Sequence, residues 1–280
     1  MKSVKDPDTL MTLSASYRRI LQKMGYYEYQ RGLIYHHLNQ EGGWNSHLER
    51  CRNFILKSFN HIKPDVVTVL GSGWLLDFPL CEISEKAKAV NLVDIIHPPE
   101  LREQVSGMGN VMLLEEDITG GLISEIWEKA GRRYFFNKVR SLGEIKIPDY
   151  QPDYEPGMVV SLNILTQLES LPILLLEKKA KVDEESLQTF RKNIQQNHVR
   201  FLLKHQSVLI TDTSEVITEA SGKVSEKKSA IITLPEGTEM VNWTWNFESK
   251  KSDFYRKKSV FNVIALLYEN GPGESKKNIS

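Results

Sequence analysis

Val66-Val67-Thr68-Val69-Leu70-Gly71-Ser72-Gly73-Trp74-Leu75-Leu76-Asp77 begins as a run of β-branched and aliphatic residues and breaks at Gly-x-Gly into a mixed segment. The run reads as a buried strand, and the two glycines past it supply the backbone freedom for a tight turn. Two more apolar segments follow, Ala89 to Ile95 and Val111 to Leu114, each after a dozen or more residues able to form a helix. That is the length a right-handed crossover between parallel strands needs, so the spacing predicts βαβαβ. In such a sheet the turn sits at the carboxyl edge, backed by a helix N-terminus, where the anionic parts of ligands bind.

Upstream, residues from about Thr9 to Ile62 read as helices. Leu10, Leu13, Tyr17, Ile20, Leu21 and Met24 recur at three- and four-residue steps, and Leu48, Cys51, Phe54, Ile55 and Phe59 repeat the pattern after Gly42-Gly43. Downstream, residues 132–157 are rich in aromatic residues and prolines and too long for a plain connection, so they read as an insertion beside the site. Strand character resumes at Met158 to Leu162. A long helix carries Leu187, Phe190, Ile194, Phe201 and Leu202 on one stripe, and another strand runs from Ser207 to Thr211. Two last strands, 240–247 and 260–268, are joined by a short charged segment and should pair antiparallel. The expected organisation is a helical cap over 1–63, a doubly wound α/β domain over 64–270 with a mostly parallel seven-stranded sheet, and a frayed tail over 271–280.

Thirty-six basic and 36 acidic side chains cancel in the 280 residues, so no global field recruits a polyanion. The cap alone carries ten basic residues against five acidic ones. Basic faces of amphipathic helices are usually just solvated, so this modest excess does not demand a nucleic acid. Cys51 and Cys81 are too few for a disulfide framework, which fits a reducing, cytoplasmic setting, with both thiols read as small buried hydrophobes. No stretch approaches the ~18 uninterrupted apolar residues of a membrane span. His36-His37 lacks a second ligand pair at metal spacing and reads as a solvated helix face, so no metal is expected. Trp243 and Trp245 read as an alternating strand with one ring buried and one at a rim.

Two acids strengthen the glycine turn. Asp94 closes the second strand about twenty residues after it, the place from which a carboxylate accepts hydrogen bonds from a ribose diol, and Asp117 closes the third. Taken with the antiparallel pair at the end, these features resemble the class I S-adenosylmethionine-dependent methyltransferases, over about Pro64 to Tyr268. The resemblance implies a Rossmann-like fold, S-adenosylmethionine as cofactor and a small-molecule acceptor. It also implies cofactor contacts from Gly71, Ser72 and Gly73 at the methionine end, Asp94 with Ile95 at the ribose, Asp117 with Ile118 at the adenine, and Asn163 facing the sulfonium. Val69 and Leu75 stand where the family often has an acid and a third glycine, which leaves the cofactor's amino group without its usual partner; Asp77 is a candidate to replace it. Two other functions share these motifs: a nicotinamide-dependent oxidoreductase, against which Leu76 stands where a small residue is wanted, and a catalytically silent methyltransferase-like binding module. Methyl transfer needs alignment more than a general base, so no catalytic residue is read from type alone. The cap and the 132–157 insertion are the expected roof, with Tyr17, Tyr26, Tyr27, Tyr29, Tyr35, Tyr134, Tyr150 and Tyr154.

Overall fold

The computed structural model describes residues 13–131, 141–179, 182–248 and 257–269. Leu10, Tyr134 and the 271–280 tail lie outside the described residues.

Three helices come first: α1 (Ala15–Met24), α2 (Tyr26–Asn39) and α3 (Asn45–Ile62). The Ser14 hydroxyl caps α1 by accepting the Tyr17 N–H at 3.2 Å. Gly25, in the left-handed conformation, ends α1 and starts α2, a break that the periodicity alone did not reveal. Lys63 closes α3, and Pro64 cannot continue a helix.

The expected crossovers then appear as strands β1 (Val66–Leu70), β2 (Ala89–Asp94) and β3 (Val111–Glu115), connected through α4 (Leu80–Ser84) and α5 (Pro99–Val105). After β3 come α6 (Leu122–Ile126) and a π-helical turn to Gly131, then β4 (Met158–Leu162), α7 (Ser170–Lys179), α8 (Glu184–Leu202), β5 (Ser207–Glu219), β6 (Val224–Lys228), β7 (Glu239–Glu248) and β8 (Lys257–Tyr268). Asp183 caps α8, accepting the Ser186 N–H at 2.8 Å.

The strand order is β3-β2-β1-β4-β5-β8-β7, parallel from β3 through β5 and antiparallel at β8 and β7. The seven-stranded sheet and its antiparallel edge are therefore present. An eighth strand, β6, hairpins onto β5 off that path. It exists because β5 does not stop at Thr211: a bulge between Asp212 and Ser214 lets it run on to Glu219, paired with both β6 and β8 beyond the carboxyl edge of the parallel strands.

Both faces of the sheet are covered. On one face Cys51, Phe54, Ile55 and Phe59 of α3 pack in one cluster with Val67, Val69, Leu75 and Trp243. On the other, α6, α7 and α8 bury Leu122, Leu176, Phe190 and Leu202 against Leu70, Val159 and Leu209. α1 and α2 stand apart from both; they form a small cluster of Leu21 and Met24 with Ile96 and Ile123 at the carboxyl edge.

Four expectations change. No helix N-terminus backs the glycine turn: residues 74–79 are irregular and α4 starts only at Leu80, after Pro79. The described part of the insertion, 141–157, packs Leu142, Ile145, Tyr150 and Tyr154 with α8 rather than roofing the turn. Cys51 is buried as expected, but Cys81 is exposed. His36-His37 is not a solvated face, because the His36 ring stacks on Phe247 at 4.6 Å and its Nε2–H donates to the Phe247 carbonyl at 3.0 Å, while His37 sits 5.0 Å from Trp44.

Candidate functional site

A cavity of about 170 Å³ opens at the carboxyl edge of β1, β2 and β4. Its floor is Gly71-Ser72-Gly73, its sides come from Asp94, Ile95 and Asn163, and its roof is α2, which supplies Tyr26, Tyr29, Gln30, Leu33 and Ile34. Trp44, His47 and Leu48 at the start of α3 close one end, together with Trp245 from β7. Trp243 is buried and Trp245, on the same face of β7, stands at the rim.

The two glycines do different work. Gly71 has φ +81°, and a Cβ there would lie 2.8 Å from Ile164 Cβ and 3.0 Å from the Leu162 carbonyl, so only glycine fits between β1 and the chain leaving β4. Gly73 has φ +48°, yet a Cβ would meet nothing nearer than the Gly71 carbonyl at 3.9 Å. It lines the cavity and has open space in front of it. Two positions later Leu75 keeps a left-handed conformation, φ +53°, at the place of the family's third glycine. Holding a leucine there costs about 1–2 kcal/mol, offset by the burial of its side chain in the α3 cluster. Asn163 is also left-handed, φ +51°, a conformation asparagine adopts more readily than most residues.

Asp94 is tied into the turn. Its Oδ2 accepts the Gly73 N–H at 2.8 Å, and its Oδ1 accepts the Ile95 N–H at 2.7 Å and the Ile96 N–H at 3.5 Å. Burial pushes the carboxyl above the usual range, opposed by His97 and by those N–H groups. A carboxylate offers about four lone-pair sites, so Asp94 retains capacity toward the cavity.

Asp117 and Ile118 are not brought to the cavity wall. Asp117 accepts from the N–H and hydroxyl of Thr119, from the Ile123 N–H at 3.3 Å, and from the Tyr17 hydroxyl at 3.1 Å. Ile118 is in the core between the sheet and α6–α8. Of the tyrosines proposed for the roof, Tyr26 and Tyr29 line the cavity, Tyr17 reaches Asp117 instead, and Tyr150 and Tyr154 bond Glu116.

The cavity's other notable group was not seen from sequence. His47, one turn before Cys51 on α3, lies flat on Trp245 with ring centroids 3.9 Å apart. Its Nδ1 accepts the Trp243 indole N–H at 3.0 Å, while its Nε2 is 3.2 Å from the Asn163 amide and 3.5 Å from Cys51 Sγ. Burial drives its pKa down to about 3, so the ring is neutral. The Asn163 amide also donates to Asp77 Oδ2 at 2.7 Å. Burial raises the Asp77 carboxyl, opposed first by that amide, and raises the Cys51 thiol too. Only the i,i+4 spacing of His47 and Cys51 hinted at this cluster; Asp77, Trp243 and Asn163 join it through tertiary packing.

The roof is pinned to the glycine loop through one residue. The Trp74 indole donates to the Gln30 carbonyl at 3.2 Å, and the Gln30 amide donates to the Ile96 carbonyl at 2.5 Å.

Asp77 and Asp94 are the only charged side chains on the wall; among the described residues no Lys or Arg lines it. The walls are otherwise largely apolar and aromatic, which is what a small-molecule site requires.

No protein-family model and no curated protein matches the chain. Among solved structures it is similar to the N-methyltransferase NodS of Bradyrhizobium japonicum WM9, in complex with S-adenosyl-L-homocysteine, at 10% identity and TM-score 0.37, over 79% of this chain and 87% of that one. It is also similar to the 1,6-didemethyltoxoflavin-N1-methyltransferase of Burkholderia thailandensis, at 10% identity and TM-score 0.38, over 94% and 93% of the two chains. A precorrin 8w decarboxylase of Methanobacterium thermoautotrophicum matches at 17% identity and TM-score 0.25, over 74% and 81%. The strand order itself, five parallel strands closed by an antiparallel pair with helices on both faces, gives this chain the class I methyltransferase-like Rossmann fold.

Proposed function

We propose that the chain binds S-adenosylmethionine in this cavity and transfers its methyl group to a small molecule. The observation that carries the reading is the pairing of an open glycine turn with Asp94 on a wall free of Lys and Arg. A ribose diol can donate to Asp94, and the carboxylate would strengthen those hydrogen bonds. The same wall speaks against the nicotinamide alternative. A dinucleotide brings a pyrophosphate, which needs a helix N-terminus or a cation at the turn. Here the helix is displaced to Leu80 and the nearby side-chain charges are negative.

The residues fit the cofactor without a Cβ in its way at Gly73, with Asp94 at the end of β2 and Asn163 at the end of β4. When bound, the cofactor supplies an electrophilic methyl on a sulfonium whose departure leaves a neutral thioether. The chain's part is to fix the approach line and keep water out, because an in-line displacement gains mostly from alignment. Tyr26, Tyr29, Leu33, Ile34, Trp44 and Trp245 provide that dry enclosure. His47, neutral and clamped between Trp243 and Trp245, offers a fixed dipole rather than a charge.

Isothermal calorimetry with S-adenosylhomocysteine and, separately, NADH tests the reading. Saturable binding of the first and none of the second is expected. Binding of NADH alone would replace the proposal with the oxidoreductase reading.

A further inference from the structure

We infer that a second cavity beside the first receives the methyl acceptor, that the acceptor is an aromatic amine bearing an anionic group, and that Asp212 takes the proton from its nitrogen; this rests on the methyl-transfer reading above. The second cavity, about 260 Å³, shares Tyr29, Asn163 and Trp245 with the first and lies against the extension of β5 and the hairpin strand β6. Phe247 and Phe261 line it too, their rings edge to face at 5.0 Å, with Trp245 a further 5.0 Å from Phe247. A planar ring is the body that such walls accept.

The charges of this cavity are sorted along β5. Asp212 sits at the bulge, just past the carboxyl edge; its Oδ1 accepts the Thr166 hydroxyl at 2.5 Å, and its Oδ2 has no partner among the described residues. It lies close to the shared wall: burial first, and then the Asp212 charge, raise the Tyr29 hydroxyl above its usual range. Lys228 and Lys227 pair opposite Ser214 and Glu215. At about 3.3 Å per residue, those positions are about 7 and 10 Å farther out than Asp212. Neither lysine forms an ion pair among the described residues.

Arg191 of α8 adds a third cation, and it is held in place. Its Nε and Nη2 each donate to Glu169 Oε1 at 3.3 Å, and the Gln195 amide donates to the same oxygen at 3.0 Å. Gln195 also donates to the Ser229 carbonyl and accepts the Ile231 N–H, so the chain leaving β6 is tied to the same support. Glu215, the other acid on this wall, has its Oε1 occupied by the Ser259 hydroxyl at 2.5 Å. An acceptor drawn by its anionic group to Arg191, Lys227 and Lys228 therefore turns its other end toward Asp212 and the first cavity, whose wall carries no Lys or Arg.

Asp212 suits an arylamine. The lone pair of the neutral nitrogen forms the N–CH₃ bond, the S–CH₃ electron pair stays on sulfur in the departing thioether, and the nitrogen, now cationic, gives one N–H proton to Asp212 Oδ2, which releases it to water. An arylammonium is an acid of about carboxylic strength, so a carboxylate can take that proton. An alkylammonium is weaker by about six pKa units and would keep its proton, leaving no lone pair to attack.

The test is ligand-observed NMR titration of anthranilate, aniline and benzoate into protein saturated with S-adenosylhomocysteine, whose own binding is first measured by calorimetry. Anthranilate, with both amine and carboxylate, should bind roughly 10-fold tighter than either fragment. Asp212→Ala should weaken anthranilate and aniline by roughly 10- to 100-fold and leave benzoate unchanged, whereas Arg191→Gln should weaken anthranilate and benzoate by a similar factor and leave aniline unchanged. Lys228→Gln, at an exposed position, should act in the same direction as Arg191→Gln and replaces it if stripping Glu169 of its arginine unfolds the chain. Retained binding of S-adenosylhomocysteine reports that each variant is folded. No binding of anthranilate to the loaded parent, equal affinity for the three probes, or variants that change all three alike overturn the assignment. A parent that binds no S-adenosylhomocysteine refutes the methyl-transfer reading itself.

Discussion

Replacing Gly73 by alanine separates a turn that holds ligand from a turn that holds only the chain, provided Gly71→Ala is run beside it. Both positions are left-handed, so each alanine costs about 1–2 kcal/mol in backbone conformation. At Gly73 that is nearly the whole cost, because the new Cβ stays 3.9 Å from its nearest neighbour. At Gly71 the Cβ meets Ile164 at 2.8 Å and the Leu162 carbonyl at 3.0 Å, and such crowding adds about 1–3 kcal/mol. Ligand binding should rank the variants the other way. A methyl group on the cavity floor that weakens S-adenosylhomocysteine 100-fold corresponds to about 2.7 kcal/mol. With ligand at 100 times the parent's Kd, binding stabilises the parent by about 2.7 kcal/mol and such a variant by about 0.4 kcal/mol. At about 2–4 °C per kcal/mol for a domain of this size, the ligand-induced rise in Tm should be about 5–10 °C for the parent and about 1–2 °C for Gly73→Ala. Differential scanning fluorimetry with and without ligand reads both effects. A Gly73→Ala protein that keeps the parent's full ligand-induced shift refutes the argument that this glycine is open for the sake of a ligand.

Asp94→Ala should weaken S-adenosylhomocysteine by roughly 10- to 100-fold through the loss of charge-assisted bonds to the diol, and an unchanged Kd in a folded variant would exclude that role. Asp117→Ala should instead lower Tm, since it strips donors on Thr119, Ile123 and Tyr17 of their acceptor, and leave the Kd alone; a large affinity loss without destabilisation would return Asp117 to the adenine contact. His47 and His198 are buried with pKa values lowered to about 3 and about 4, so below pH 6.5 the unfolded chain takes up protons that the folded chain refuses. Each should therefore cost stability on acidification, at up to about 1.4 kcal/mol per pH unit. Glu169, raised by burial to about 7 despite Arg191, acts in the opposite sense: the folded carboxyl keeps its proton from about pH 4.5 to 7, and stability falls as pH rises through that window by about 3 kcal/mol. Glu169→Gln should shift the difference between the urea midpoints at pH 8 and pH 5 toward greater stability at pH 8 than the parent shows, because the histidine term is then unopposed, and parallel curves for the two proteins would show that Glu169 does not titrate there.

The parallel strands were legible because each carries a short run dominated by apolar residues, and the crossover spacing then left little choice of topology, whereas the polar, exposed β6 gave no such signal. Gly71, Ser72, Gly73, Asp94, Ile95 and Asn163 were legible for the same reason: they close strands, and closing a parallel strand puts a residue at the ligand edge. What failed was whatever depends on contacts distant in sequence. Nothing local says that residues 141–157 lean on α8 rather than on the glycine turn, or that Asp117 is claimed by Tyr17 a hundred residues away. The extension of β5 was hidden because Asp212, Thr213 and Ser214 look like a strand end, and the bulge there is stabilised by pairing with β8. His47 was missed because its partners, Trp243, Trp245 and Asn163, are 116 or more residues away.

α2 has no fully buried residue, although five of its side chains face the cavity. Part of its inner face therefore rests on ligand space, and among the described residues its hydrogen bonds to the rest of the fold run through Gln30, to Trp74 and Ile96, and through His36, to Phe247. Elements with little burial of their own open locally at lower cost than a buried sheet, so hydrogen exchange should be faster in α2 than in β1 or β4. Filling the cavity supplies the burial that α2 lacks, which makes docking of this helix and capture of the ligand a single equilibrium. The measured affinity then includes the free energy of ordering α2, and a substitution on that helix touching no ligand atom can change the dissociation rate as much as one on the cavity floor.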